Sequence, residues 1–303
     1  MNLIRKIPIP ISGLMLALFS LGNLLNDLDP ILKIACGSVA SVFLALMILK
    51  IILYPSDIKN DFKNPVIASS SGTFSMSLMI LSTYLVGFMP TIGYGIWICG
   101  IALHILLIIY FTYHFIIRDF DISNVYPTYW IVYVGITMAA ITAHIHGLKE
   151  TGFIFFIFGF VSMIATVPLI IYRYYKHNEI PDVNKPLICI STAIFSILIV
   201  GYLNSVQNMS VGFLSVLYVI ACICYIFAFY KLIEYRNLKF YPSFSAFTFP
   251  FVISALATKG VADVISNPAL NYILTLETAI SVIIVAYVLI RYIKFLKIVK
   301  VDG

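Results

Sequence analysis

The sequence predicts an all-α integral membrane protein whose ten transmembrane helices form five helical hairpins. Of its 303 residues, 61% are hydrophobic and 11% are charged, whereas a soluble domain carries about 25% charged residues. Too little polar surface remains to cover a water-soluble globule of this size. Because ten spans of ~20 residues leave room for short loops only, the composition also excludes a sizeable soluble domain.

Ten apolar runs support this prediction, since each is long enough, or nearly so, to cross a ~30 Å hydrocarbon layer as a helix. Helices are required there because no water is present to pair with free backbone groups. The first run follows Arg5 and Lys6 and has no small-residue cleavage site after it, so we interpret it as an uncleaved span. The runs cover residues 8–25, 31–53, 65–85, 91–117, 127–146, 152–175, 186–205, 210–233, 243–259 and 268–292.

The basic residues predict the orientation. Of the 19 Lys and Arg residues, only Lys33, Lys149 and Lys259 fall on the side that holds the loops after the odd-numbered runs. The other 16 lie in the two terminal tails, at the ends of even-numbered runs or in the loops after them. By the positive-inside rule, we expect a multi-pass protein of the cell membrane with both termini in the cytoplasm.

An internal repeat divides the single membrane domain into five hairpins. A proline opens every odd-numbered run, and a proline costs least in the first turn of a helix, where its missing N–H has no partner anyway. The near-constant spacing of these prolines predicts five copies of one unit. The five prolines are Pro8, Pro65, Pro127, Pro186 and Pro242. The units cover approximately residues 1–57, 58–120, 121–180, 181–237 and 238–303.

The two helices of each unit differ in their content of Ser and Thr residues. The odd-numbered runs contain 22 Ser and Thr residues and the even-numbered runs contain 11, although the even-numbered runs are longer. Hydroxyls gain little against lipid but find partners on a neighbouring helix or in a wet cavity. We therefore expect the odd-numbered helices inside and the even-numbered helices outside. This holds whether the hydroxyls line a pore or only pack helices together.

Four segments resemble the tellurite-resistance/dicarboxylate transporter family, which includes bacterial TehA-type channels and the plant slow anion channel. They are PIPISGLMLALFSLGNLL, NPVIAS followed by TFSMSLMILSTYL, YPTYWIVYVGI, and YPSFSAFTFPFVISALAT. The resemblance implies a pseudo-five-fold arrangement, an anion pore lined by the odd-numbered helices, and a homotrimer. It also implies a phenylalanine gate, which falls on Phe249.

The residues around Phe249 suit that role. Pro250 lies inside the ninth run and cannot donate to the carbonyl of Ala246, so we expect a helix kink that projects the ring. The positive edge of an aromatic ring tolerates a passing anion better than a cation. The chain departs from the family where relatives have mid-helix prolines, since Gly72, His144 and Ala193 stand near those places. It also has Ser70 and Ser71 where the plant channels have phenylalanines.

Hydroxyls on the odd-numbered helices are the predicted pore lining. Such groups bind anions weakly, which favours throughput, so we expect a poorly discriminating path with no deep cationic site. Hydrogen bonding between helices is the alternative role for about half of them. The candidates are Ser70, Ser71, Thr73, Ser75, Thr137, Ser191, Thr192, Ser196 and Thr248.

Two charged residues have alternative interpretations. Lys259, near Asp263 at the outer side, either concentrates anions at a vestibule or places its ammonium at the lipid headgroups. Glu277 lies within the tenth run, where a carboxylate is a functional-site candidate by default. It would couple protons if it faced a cavity, but its place on an outer helix favours protonation or a contact at a subunit or hairpin interface.

The sequence predicts no enzyme, no cofactor, no metal site and no nucleic-acid partner. It contains no GxSxG, HExxH or phosphate-binding glycine loop, and Cys222 and Cys224 diverge by about 200° on a helix. The leading hypothesis is a channel for small inorganic anions. Three alternatives remain open: a proton-coupled carrier of C4 dicarboxylates such as malate, or of tellurite; a haem or metal protein; and a structural or receptor-like membrane protein. The second alternative would use His104, His114, His144 and His146. A structural or receptor-like membrane protein would carry no ion flux.

Overall fold

The computed structural model describes the backbone of residues 2–301 and the side chains of residues 3–297. Lys300 of the predicted cytoplasmic tail lies outside the described side chains. No β-strand occurs in residues 2–301. The α-helices are α1 (Asn2–Arg5), α2 (Ile11–Leu25), α3 (Pro30–Leu53), α4 (Pro55–Asp61), α5 (Pro65–Ser70), α6 (Gly72–Leu85), α7 (Pro90–Phe111), α8 (Thr128–Tyr133), α9 (Thr137–Ala143), α10 (Lys149–Lys176), α11 (Ser191–Ser205), α12 (Val211–Tyr235), α13 (Phe249–Val264) and α14 (Pro268–Val301).

Eight helical stretches of this described part are long and apolar enough to cross a membrane. The prediction of an all-helical multi-pass membrane protein is confirmed at this level, whereas only eight of the ten predicted spans meet that length. The first run forms α2, which has 15 residues and rises about 22 Å. The fifth run forms two short helices, α8 and α9. The eight stretches are Pro30–Leu53, Pro65–Leu85, Pro90–Arg118, Lys149–Lys176, Lys185–Ser205, Val211–Tyr235, Pro242–Val264 and Pro268–Lys297.

The fifth run breaks at Gly135. The backbone N–H groups of Val134 and Gly135 both donate to the Trp130 carbonyl, at 2.8 and 3.0 Å, so the helix widens there. A Cβ atom at position 135 would collide with the carbonyl oxygen of Ile131. Only a glycine fits this break, and the two halves of the run become separate helices.

Burial separates the helices into two sets. The stretches rich in hydroxyls, Pro65–Leu85, Lys185–Ser205 and Pro242–Val264, are 67–83% buried over their most apolar windows. The other five stretches are 22–33% buried over theirs. Fourteen of the 15 residues of α2 are buried as well. We call α2, α5, α6, α8, α9, α11 and α13 the buried helices, and α3, α7, α10, α12 and α14 the exposed helices.

The buried helices pack side by side in a regular order. Helix α2 contacts α6, α6 contacts α9, α9 contacts α11, α11 contacts α13, and α13 contacts α2 again. Each exposed helix packs against the buried helix that precedes it in the chain. The buried helices therefore surround a common interior, and the exposed helices lie around them.

Two buried helices begin with a tighter 3-10 segment. Residues Lys185–Ile190 form one before α11, and Pro242–Phe247 form one before α13. Thr248 separates the second segment from α13, and Pro250 is the second residue of α13. The missing N–H of Pro250 therefore falls in a first helical turn, where it costs little. The chain changes from a 3-10 to an α-helix directly before Phe249.

Candidate functional site

A cavity of about 620 Å³ lies among the buried helices. Its wall includes residues from every buried helix except α9. It occupies the end of the molecule where the exposed helices α3, α7, α10 and α12 finish, which we call the basic end. The predicted orientation would place this end in the cytoplasm.

The two ends of the cavity differ in chemistry. Asn64 and Asn124 are exposed and Asn184 is half-buried at the rim, where each precedes a buried run. The inner end is formed by the more apolar Met76, Ile197 and Phe249, among others. An ion moving inward would therefore pass from amide groups to an apolar constriction. These asparagines were not predicted as site residues, and their recurrence at intervals of 60 residues is the sequence signal that could have identified them.

Phe249 and Pro250 both lie in the cavity wall. The Phe249 side chain is 6% exposed, and within the described residues no other aromatic ring packs against it. Phe251 differs, because it is fully buried and its ring lies edge-on to Tyr225, with centroids 5.2 Å apart. The two phenylalanines thus face different surroundings, an open space for Phe249 and a packed helix interface for Phe251.

Of the nine hydroxyl residues predicted to line a pore, the cavity wall includes Ser70 and Thr73. Thr73 also bonds the Ser12 hydroxyl at 2.6 Å, which links α6 to α2. The remaining candidates lie outside this wall: Ser71, Ser75, Thr137, Ser191, Thr192, Ser196 and Thr248.

Most of these remaining hydroxyls have protein partners. Ser71 and Thr248 donate to nearby carbonyls on their own segments. Thr192 and Ser196 bond the Ser254 hydroxyl at 3.1 and 3.0 Å, and Ser75 bonds His104. Thr137 is buried and Ser191 is half-buried, and their hydroxyls have no hydrogen-bond partner among the described residues. The bonds to Ser254 and His104 join neighbouring helices, which is the alternative role predicted for about half of the candidates.

Three other Ser and Thr residues in the wall, Thr128, Ser243 and Ser245, were not selected from the sequence. Thr128 is fully buried, and its Oγ1 has no partner within the described part of the chain. A buried hydroxyl ordinarily has a hydrogen-bond partner. All three follow a run-opening proline by one to three residues, and this position is the signal that could have identified them.

A buried cation also lines the cavity. Lys50, near the end of α3, is 4% exposed, and its Nζ donates to the carbonyl oxygen of Ile7 at 2.6 Å. Asp61 at the end of α4 also lines the cavity, and its carboxylate lies 3.3 Å from the same Nζ. The hydroxyl pattern predicted a path without a deep cationic site, and Lys50 contributed only to the predicted orientation. The structure places this ammonium at the cavity itself, near its rim.

Lys259 and Glu277 lie away from the cavity. Lys259 binds Asp27 rather than the nearby Asp263, and so joins the end of α13 to the chain after α2. Glu277 is buried and accepts a hydrogen bond from Thr258 at 2.5 Å, and Thr258 in turn bonds Tyr218. The void beside Glu277 has no room for a water molecule. The Glu277 carboxyl therefore contacts α13 rather than an aqueous space.

The histidines have separate surroundings. His104 is fully buried between Ser75 and the carbonyl oxygen of Val132. His114 bonds the carbonyl of Tyr110 on its own helix, and His146 bonds Ser82. Within residues 3–297, no group of three or more His, Cys, Asp or Glu side chains is placed to hold a metal ion.

Side chains on four exposed helices donate hydrogen bonds to the backbone at the rim of the cavity. Each donates to a backbone carbonyl one to four residues ahead of a run-opening proline. The four bonds run from Lys50 to Ile7 at 2.6 Å, from Tyr110 to Phe62 at 3.2 Å, from Arg173 to Ser123 at 3.1 Å, and from Arg291 to Leu238 at 3.3 Å. Three of these donors are cations, so the rim is electropositive as well as anchored.

A multi-pass helical protein whose buried helices enclose a polar-rimmed cavity has an architecture that is typical of membrane transport proteins. The sequence pattern of the voltage-dependent anion channel family matches residues 8–293, and the chain belongs to that family. Because this family includes the TehA-type transporters, the resemblance found in the sequence is confirmed.

Two transporters of Methanocaldococcus jannaschii are similar to this chain. The uncharacterized transporter MJ0762 is 26% identical over 180 residues, which are 55% of this chain and 53% of that protein. The uncharacterized transporter MJ0576 is 24% identical over 180 residues, 55% of this chain and 52% of that protein. The chain thus spans about half the length of either relative.

Proposed function

We propose that this protein is an anion channel of the cell membrane whose path runs along the axis enclosed by the buried helices. Ten helical segments in five hairpins with pseudo-five-fold symmetry form the channel, with both termini in the cytoplasm and one pore in each protomer of a homotrimer. Its permeant species are small inorganic anions, with weak selectivity among them. The observation that carries the proposal is the cavity that the successive buried helices enclose and that ends at Phe249.

The chemistry of the cavity supports an anionic permeant. A bare ion in an apolar interior costs tens of kcal/mol, so a conducting path must be wet or lined by donors. The cavity offers the ammonium of Lys50 and the Thr128 hydroxyl, which has no partner among the described residues and can donate to an anion. The hydroxyls of Ser70 and Thr73 donate to the carbonyls of Val66 and Ser70, at 2.6 and 2.8 Å, and add polarity to the wall. Among the described lining residues, Asp61 is the one carboxylate.

Phe249 is the proposed gate. Its ring stands at the apolar inner end of the cavity, where a hydrophobic constriction excludes water and so blocks ions. The break in the helix before α13 leaves the ring free of neighbouring aromatic side chains. Replacement by alanine joins the vacated space to the existing cavity and lowers the barrier.

The test is ion flux in liposomes that contain the purified protein, under chloride, nitrate or malate gradients. We expect Phe249→Ala to raise chloride flux at least about tenfold, which needs a barrier reduction of only about 1.4 kcal/mol. Phe251→Leu is the matched control and should leave flux unchanged, because its ring faces α12.

The outcomes separate the functions. Flux that falls in Phe249→Ala and depends on a proton gradient would indicate the dicarboxylate carrier instead. Absence of anion flux from both the native chain and Phe249→Ala, with both folded, would refute a transport role through this cavity.

A further inference from the structure

We propose that Lys50 is an anion-binding group at the entrance of the cavity and that the Asp61 carboxylate is a tethered competitor for it. The ligand class is a small monovalent anion or a carboxylate group. The inference rests on the proposed anion-conducting function. It adds a binding site on an exposed helix, outside the set of helices that the sequence predicted to line the pore.

Lys50 is unusual in its position. Among the described residues that line the cavity, it is the one that an exposed helix contributes. Its side chain is 5% exposed, so its ammonium has lost most of its water. An ammonium has three donors; one is taken at 2.6 Å by the Ile7 carbonyl, and a longer one of 3.3 Å goes to Asp61. The geometry leaves a third donor on a cation that borders the cavity.

The two partners of Lys50 hold it differently. The Ile7 carbonyl belongs to the chain directly ahead of Pro8, so it fixes the ammonium at the rim. The Asp61 side chain is 34% exposed and stands at the longer distance. Water can therefore solvate Asp61 if it moves away, whereas Lys50 has no comparable access to solvent. An arriving anion can take the place of Asp61 while the cation stays fixed.

The charges around Lys50 leave its ammonium able to attract an anion, because the nearby carboxylate of Asp57 is already paired. Asp57, the other carboxylate of α4, receives two hydrogen bonds from Arg5 at 2.6 and 3.1 Å. The hydrogen bond from Arg5 holds the pKa of Asp57 below its usual value. Lys6 also lines the cavity. The carboxylate that can compete with an anion at Lys50 is therefore Asp61.

This arrangement predicts weak discrimination among anions. An ammonium acts as a compact point charge without the planar geometry that selects a particular oxyanion. A carboxylate already serves as its partner, so chloride, nitrate and the carboxylate of an organic acid can all replace it. Competition from Asp61 keeps binding weak, and weak binding allows an ion to leave again.

The experiment measures chloride current at increasing chloride concentration on the basic-end side, in the Phe249→Ala background. We expect Asp61→Asn to lower the half-saturating chloride concentration and Lys50→Met to raise it, each about three- to tenfold. Lys59→Gln is the matched control, because Lys59 is exposed on the same short helix as Asp61 and lies outside the cavity wall. It should shift the value less than twofold.

The opposite shifts of the half-saturating chloride concentration distinguish an anion-binding role of Lys50 and Asp61 from a purely structural one. If the pair only held α3 to α4, both variants would reduce current together, and that result overturns the proposal. Lys50→Arg, which keeps the charge, checks a loss of folding in Lys50→Met and should conduct with a chloride dependence closer to that of the parent. If the parent conducts chloride and none of these substitutions moves its concentration dependence, the inference fails while the proposed function stands. If the parent carries no anion current, the proposed function fails first.

Discussion

His104 joins the third run, which is divided into α5 and α6, to the fifth run, which is divided into α8 and α9. Its replacement offers a quantitative test of the fold. Its Nδ1 lies 2.7 Å from the Ser75 hydroxyl, and its Nε2 lies 3.0 Å from the Val132 carbonyl oxygen. A Cβ atom at Gly72 or Gly135 would come within 3.4 or 3.1 Å of its Cε1 atom. The ring therefore fills the space beside both glycines and bonds one residue from each helix.

The loss in free energy of unfolding expected for His104→Leu follows from the two groups that lose their hydrogen-bond partner. The Val132 carbonyl loses its imidazole donor, and an unpaired buried group costs about 1–3 kcal/mol. Hydrogen bonds within membranes average nearer 0.6 kcal/mol, which places the loss in the lower part of that range. Ser75 loses less, because its hydroxyl also reaches the Gly72 carbonyl at 2.9 Å. We expect a total loss of about 1–2 kcal/mol, and His104→Gln should recover part of it because an amide both donates and accepts.

Thermal unfolding of the purified protein in detergent measures this effect. His104→Leu should lower the unfolding midpoint by a few degrees, with His104→Gln between it and the native chain. His114→Leu is the control, since His114 bonds only a carbonyl of its own helix. Equal stability of His104→Leu and the native chain, or a glutamine variant no better than the leucine one, would refute this account of the two helix breaks.

Two further substitutions test the packing of α7 against α6 and an ion pair at the end of the molecule opposite the basic end. Gly100→Ala should destabilise the protein by about 1–3 kcal/mol in the same unfolding assay, because the new Cβ atom would lie 2.9 Å from the Ser75 carbonyl oxygen. The control is Gly95→Ala on the same helix, whose Cβ atom would meet nothing within 4 Å. It should be neutral or slightly stabilising. Asp27→Asn should cost at most about 1 kcal/mol, since the ion pair with Lys259 is largely exposed. The hydrogen bond from Lys259 lowers the pKa of Asp27, so this small contribution should be present at neutral pH and disappear as pH falls below about 4; a loss already complete at pH 6 would contradict it.

The sequence predicted which helices are buried because the hydroxyl count reports a real energetic preference. A hydroxyl gains little from lipid and finds partners inside, so the runs rich in Ser and Thr had to face one another. The count alone does not single out the first run, which contains only Ser12 and Ser20, as few Ser and Thr residues as four of the even-numbered runs. Helix α2 was assigned to the interior by its odd place in the repeat, and both serines are buried there.

The particular lining residues could not be predicted in the same way. A regular helix would place Ser71 and Ser75 on one face, but the third run turns more tightly at Ser71 before α6 begins. The cavity therefore meets Ser70 and Thr73 instead. At the break near Gly135, the Val132 carbonyl bonds His104 from another helix, a contact that no local pattern reveals.

The cations at the rim have a structural reason that helps explain an electropositive entrance. The residue directly before a proline is restricted away from helical geometry, and the carbonyl of Ile7, directly before Pro8, accepts from Lys50. Arg173 and Arg291 on two other exposed helices donate to the carbonyls of Ser123 and Leu238, each four residues ahead of a run-opening proline. The same charges are those that the positive-inside rule uses to predict orientation. Fastening the buried helices and raising the local concentration of anions are thus two consequences of one set of side chains.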